Sequence, residues 1–154
     1  LYHYVNGKLE GEHKSWNEQN HMIIHCSYLN DLPHGEYTKW DINGNLEYTF
    51  KYVKGKKEGV FKSWYKGGEL SATWYYVNDT LEGDYSQWYQ QGQLEIHGKY
   101  VNGKKEGMCK MWYRTGQIRL QCNYINGVRE GEHKQWDIHG QVKVDMYKSG
   151  RKVS

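Results

Sequence analysis

Between Gly107 and Tyr124 the chain alternates apolar and polar side chains with a period of two. Cys109, Met111 and Tyr113 alternate with Lys110 and Trp112, and after Thr115-Gly116 the residues Ile118, Leu120, Cys122 and Tyr124 alternate with Arg119, Gln121 and Asn123. That period marks strands with one face buried. Thr115-Gly116 between them reads as a hairpin turn, because a tight turn needs a residue that tolerates positive φ. The same pattern recurs along the chain. Tyr4, Tyr28, Tyr52, Tyr76, Tyr100 and Tyr124 stand 24 residues apart, as do Trp16, Trp40, Trp64, Trp88, Trp112 and Trp136, and the glycines from Gly11 to Gly131. An internal repeat decides the architecture. A second turn signal, Asn102-Gly103, is echoed by Asn6-Gly7 and Asn126-Gly127, with Asn30-Asp31 and Asn78-Asp79 as variants. No segment offers a capped helical pattern. The expected fold is all-β: an elongated, twisted, single-layer antiparallel β-meander with one hairpin per repeat.

If Thr115-Gly116 is a two-residue turn, Cys109 pairs with Cys122 and Tyr113 with Ile118. One face then carries the apolar set and the other carries Trp112 among polar residues. The apolar set recurs as Leu46, Tyr48, Phe50 and Tyr52, as Phe61, Tyr65, Leu70, Trp74 and Tyr76, and as Tyr85, Tyr89, Leu94, Ile96 and Tyr100. The recurrent Glu-Gly (Glu10-Gly11, Glu58-Gly59, Glu82-Gly83, Glu106-Gly107, Glu130-Gly131) marks a bulge or a place where a ring lies over bare backbone, and an aromatic neighbour is expected to cover each glycine. The repeats start near 4, 28, 52, 76, 100 and 124. The sixth is one residue short, and a partial seventh begins at 147. We read residues 1–154 as a single repeat domain, and as part of a longer chain, since Leu1 falls part-way through a repeat.

Composition agrees with a thin structure. Aromatic residues are 16% of the chain, with 15 Tyr and 7 Trp against 2 Phe, and Tyr and Trp can bury a ring while keeping a polar atom wet. The net charge of +3 is a balance of 21 basic and 18 acidic residues. It favours no nucleic-acid partner. No apolar run approaches the ~20 residues that span a bilayer, so the chain reads as neither transmembrane nor secreted, but cytoplasmic or virion-associated. The odd cysteine count without a CxxC points to a reducing compartment.

Each candidate chemistry has a plainer reading. The Trp ladder could stack bases or sugars, but regular packing over glycine and lysine stems accounts for it. Lys14, Lys62, Lys110 and Lys134, with Lys104, Lys105 and Arg129, could meet phosphates, but the Glu of each Glu-Gly repeats alongside and ion pairing accounts for both. The eight histidines form no compact metal set with Cys or Asp. Cys109 and Cys122 face each other, and two free thiols on an apolar face are favoured over a cross-strand disulfide. No Ser/His/Asp, phosphate-loop or paired-carboxylate arrangement recurs. No catalytic residue, cofactor, metal or small-molecule substrate is therefore assigned, and the chain is read as not an enzyme. An exposed apolar face marks a contact. The residues assigned to it are Phe50, Phe61, Trp74, Tyr85, Leu94, Ile96, Leu120 and Tyr124, with a protein partner or a second copy as occupant.

The unit Gly-x-[Tyr/Phe/His]-x-x-Trp-[Tyr/Asp]-x-x-Gly-x-[Leu/Ile/Val], followed by Tyr-[Val/Ile]-Asn-Gly-Lys, resembles the MORN repeat in its 24-residue variant. That variant occurs in arrays in bacterial antitoxin-like proteins and in giant DNA viruses of amoebae. The first repeat departs at Asn20 and Met22, and the second at Asp31 and Pro33. The resemblance implies the twisted antiparallel sheet and a non-catalytic scaffold, as a component of a larger assembly such as a giant-virus particle. Alternatives are an antitoxin or immunity-type protein that neutralises one partner, and a membrane-surface or lipid tether.

Overall fold

The structure is a computed structural model and describes residues 3–154. The chain divides into two compact units, Leu1–Thr80 and Leu81–Ser154. The first contains β1 (Tyr4–Val5), β2 (Lys8–Leu9), β3 (Gly11–Trp16), β4 (Met22–Leu29), β5 (Leu32–Pro33), β6 (Gly35–Trp40), β7 (Leu46–Val53), β8 (Lys56–Trp64) and β9 (Leu70–Val77), and β10 (Thr80–Leu81) falls at the boundary. The second contains β11 (Gly83–Trp88), β12 (Leu94–Val101), β13 (Lys104–Trp112), β14 (Ile118–Ile125), β15 (Val128–Trp136), β16 (Val142–Lys148) and β17 (Arg151–Lys152). Within each unit successive long strands pair antiparallel, in the order β3-β4-β6-β7-β8-β9 and in chain order from β11 to β17. The chain is an all-β antiparallel meander with one hairpin per repeat.

The two turns of each repeat differ. Val101 pairs with Lys104 around Asn102-Gly103, and both turn residues have positive φ, 49° and 76°. This is the type I′ turn that the right-handed strand twist favours. The other turn is not the expected two-residue loop. Tyr113 donates its N–H to the Gln117 carbonyl at 2.8 Å, and Gly116 donates back to Tyr113 at 2.9 Å, so Arg114, Thr115 and Gly116 form a three-residue loop.

The extra loop residue changes the faces. Cys109 pairs with Cys122 and Met111 with Leu120, as expected, but Trp112 pairs with Ile118, leaving Arg119 as a bulge. The same shift puts Met22 opposite Trp16, Leu46 opposite Trp40, Leu70 opposite Trp64 and Leu94 opposite Trp88. A bulge residue shares a face with its neighbour in the strand. The contacts agree: Glu47 pairs with Lys39 at 3.0 Å, the Ser71 and Ser63 hydroxyls meet at 2.8 Å, and Arg119 reaches the Met111 sulfur. Leu46, Leu70, Leu94 and Ile118 therefore turn to the tryptophan face, which corrects the strict alternation read from the sequence. In the sixth repeat every pair from Gly131↔Tyr147 to Trp136↔Val142 keeps one register. The residue missing from that repeat is the bulge residue.

A second irregularity sits at each Glu-Gly. Lys99 pairs with Glu106 but His97 pairs with Lys110, so Gly107, Met108 and Cys109 oppose Gly98 alone. Two extra residues keep the parity. Gly107 has φ +70°, and no atom lies within 4 Å of where a Cβ on it would stand; Gly59 and Gly131 are the same, each at φ +78°. The expected covering ring is absent there. These glycines supply a left-handed backbone at a bulge.

Candidate functional site

Consecutive repeats are joined by a ladder that uses the Glu-Gly carboxylates. Asn30, Asn78, Asn102, Asn126 and Ser149 open their type I′ turns, and their N–H groups donate to Glu10, Glu58, Glu82, Glu106 and Glu130 at 2.7–3.0 Å. The next N–H of each turn donates to a carbonyl of the preceding repeat, as Gly103 does to Leu81 and Gly127 to Lys105, both at 2.9 Å. In the second repeat His34 replaces the glutamate, and its Nδ1 accepts from Lys54 at 3.3 Å. These glutamates hold backbone, which corrects the expected pairing with lysines. Lys14 and Lys134 of the lysine ladder instead pair along their own strands, with Glu12 at 2.7 Å and Glu132 at 2.6 Å. At the opposite turns Tyr89 and Tyr113 donate their hydroxyls to the Trp112 and Trp136 carbonyls, at 2.9 and 2.8 Å.

With the backbone ladder fixed, one face of each unit carries a column of side chains. In Leu1–Thr80, beyond the His13 and Cys26 pair, the column is aromatic. Tyr37 stacks on Phe50 with centroids 5.0 Å apart, Tyr48 lies 5.7 Å from Phe61, and Phe61 lies 5.2 Å from Trp74. Lys57 sets its ammonium over Phe50 and Tyr76 at 5.2 and 5.3 Å. Burial first, and the Tyr48 phenol next, push the Tyr37 hydroxyl up to about 12. In Leu81–Ser154 the column is thin. Tyr85 lies across Gly98, where a Cβ would meet its ring at 2.8 Å, and its hydroxyl reaches the Cys109 sulfur at 3.5 Å. Cys109, Cys122, His133 and Asp145 then follow in direct register across β13, β14, β15 and β16.

The assigned face residues fall into three groups. Phe50 and Tyr85 are 6% and 5% exposed and form the floor of their columns. Phe61 and Trp74 in the first unit, and Ile96, Leu120 and Tyr124 in the second, are half-buried side chains of the column face. Leu94 stands opposite Trp88 on the other face. The face assigned from the sequence did not include His133, which is 7% exposed with neither ring nitrogen hydrogen-bonded. Its phase was the signal: residues 13, 37, 61, 85, 109 and 133 are one column position. Burial, then the Arg129 cation, lower its proton affinity. Among the described residues no three His, Cys, Asp or Glu side chains are arranged to hold a metal ion, and no helix is long and apolar enough to cross a membrane.

Residues 57–78, 81–102 and 105–126 match the family described as the MORN repeat variant, three times in tandem at the spacing read from the sequence. These three segments are MORN repeats. MORN repeats in general mediate protein or membrane interactions and are typically non-catalytic. Each matched segment contains both ends of one rung, Glu58 with Asn78, Glu82 with Asn102 and Glu106 with Asn126, and ends on the first residue of the turn. No curated protein matches the chain.

Proposed function

We propose that this chain is a non-catalytic structural scaffold, cytoplasmic or virion-associated, and a component of a larger assembly such as a giant-virus particle. The observation that carries the reading is the column face. Each unit holds its strands together by main chain and glutamate, yet lays half-buried apolar side chains along one side: Phe61 and Trp74 in the first unit, Ile96, Leu120 and Tyr124 in the second. Contiguous apolar surface on one side of a sheet supports a protein partner or a second copy as its occupant. The balanced charge of +3 supports this over a lipid tether, which would lean on clustered cations.

The test is sedimentation and light scattering over a concentration series, on the wild type and on Trp74→Lys and Ile96→Lys variants. Concentration-dependent growth that either lysine abolishes, with the β-sheet circular dichroism unchanged, supports self-assembly through this face. A wild type that stays monomeric at every concentration removes self-assembly. A discrete complex of fixed stoichiometry with one foreign protein would favour the antitoxin-like alternative.

A further inference from the structure

Cys109 and Cys122 are the one column pair in which both opposing residues carry a thiol. The matching pairs elsewhere are His13 with Cys26, Tyr37 with Phe50, Phe61 with Trp74, Tyr85 with Gly98, and His133 with Asp145. Both thiols are free, and each is 2% exposed. Residues directly opposite in an antiparallel pair have Cα atoms about 4.5–5.5 Å apart, inside the roughly 4.4–6.8 Å that a disulfide spans. Their register places them within disulfide reach.

We propose that Cys109 and Cys122 are an oxidisable cross-strand dithiol, which a low-molecular-weight disulfide such as glutathione disulfide converts into a covalent clip between β13 and β14. The surroundings suit the chemistry. The Tyr85 hydroxyl reaches the Cys109 sulfur only because Gly98 has no side chain in its path. Lys105 holds its ammonium 5.8 Å from the Tyr85 ring and 5.4 Å from the Tyr124 ring, on the same column. Contact with the Cys122 thiol first, then Tyr85 and Lys105, outweigh burial and lower the Cys109 thiol, while contact with Cys109 and burial raise Cys122. The Tyr85 hydroxyl at 3.5 Å and the Lys105 cation both favour the thiolate on Cys109, which serves as the nucleophile. On the far side of Cys122, in direct register, stands the buried His133 with both ring nitrogens unpaired.

The steps balance. The Cys109 thiolate attacks one sulfur of glutathione disulfide and expels one glutathione thiolate, leaving a mixed disulfide. Cys122 attacks the Cys109 sulfur and expels the second glutathione, its proton passing by way of His133 to that departing glutathione. Two protein thiols are oxidised, one small disulfide is reduced to two thiols, and the two protons finish on the glutathiones. Both sulfurs are buried, so the reaction proceeds through local opening of the hairpin.

The experiment is incubation of the folded chain with glutathione disulfide, followed by intact mass measurement and non-reducing peptide mapping. The expected product has lost two hydrogens, links the Cys109 and Cys122 peptides, carries no glutathione and leaves Cys26 as a thiol. Cys26 is an internal control, since it is also buried but faces His13. Cys109→Ser should lose the two-hydrogen product entirely and at most accumulate a glutathione adduct. His133→Gln, which keeps a polar side chain in the column, should slow closure several-fold without changing the product. A wild type that stays fully reduced, or that accumulates a stable glutathione adduct or a Cys26-linked dimer instead, overturns the proposal. The wild-type measurement stands alone if a variant fails to fold.

Discussion

The column faces of Leu1–Thr80 and Leu81–Ser154 rest on the same backbone and are filled in opposite ways. In the first unit Tyr37, Tyr48, Phe50, Phe61 and Trp74 stack ring on ring. In the second the matching positions hold one ring across a glycine, a pair of thiols, and a histidine beside a carboxylate. Strand pairing tolerates both because the repeats are joined elsewhere. The type I′ turn, the Glu rung and the bulge glycine bind each repeat to the next without using the column. Column identity is thereby free to vary: beyond the His13 and Cys26 pair the first unit fills it with rings, and the second brings in a thiol pair, a histidine and a carboxylate.

The contrast is broken most severely at its aromatic end. Phe50 contacts Tyr37, Tyr48, Tyr52 and Phe61, so Phe50→Ala should cost about 3–5 kcal/mol, lost transfer energy plus a cavity the neighbouring rings cannot fill. The matching change, Cys122→Ala, removes one sulfur and should cost about 1 kcal/mol. Urea unfolding of both variants checks the difference. Equal losses would mean that the two columns carry equal packing energy. Next in size is Gly98→Ala. The new methyl would sit 2.8 Å from the Tyr85 ring and 3.0 Å from its hydroxyl, so Tyr85 must swing away from Cys109 at a cost of about 1–3 kcal/mol. An unchanged Tm would show that Tyr85 has room the geometry denies it.

A smaller effect tests what the units share. Glu106→Gln keeps the shape of the rung but removes the charge that accepts the Asn126 N–H at 2.8 Å, and it should cost about 1 kcal/mol, since the site is exposed to water. In the first unit the His34 rung is longer, at 3.3 Å, so His34→Glu should gain a fraction of that. Thermal melts of the two variants should move in opposite directions.

The period, the hairpins and the Cys109↔Cys122 register were legible because like residues recur at one spacing. Three features were not. The bulge residue takes no consistent type: Ile23, Glu47, Ser71, Glu95 and Arg119 share only a position, so Leu94 looked like a neighbour of Ile96 on one face. The glutamate rungs recur visibly, but their partners are backbone N–H groups about twenty residues on, and a main-chain donor leaves no mark in a sequence. The glycine of Glu-Gly suggested a covering ring, when the backbone needed only a positive φ. His133 was hidden because its column mates Tyr85 and Cys109 are of unlike chemistry.

The finest test of the comparison is alkaline. Burial, reinforced by Tyr48, pushes the Tyr37 hydroxyl up to about 12, against an ordinary value of about 10. A phenol whose folded-state value is raised contributes stability that is complete below the unfolded value. That contribution is lost as pH rises from about 10 through about 12. Ionisation would put an anion among the stacked rings of Phe50 and Tyr48. Because Tyr37 is only half-buried, the loss should be on the order of 1 kcal/mol rather than the full amount the shift alone would give. Wild type and Tyr37→Phe should therefore unfold at similar urea concentrations near pH 9. By about pH 11 the wild type should fall further, because the variant has no phenol to ionise at that place in the stack. A parallel fall in both would move the alkaline sensitivity to Tyr52 or to the second unit's Tyr124, whose hydroxyls burial also raises. The aromatic column would then be no more sensitive to charge than the thin one.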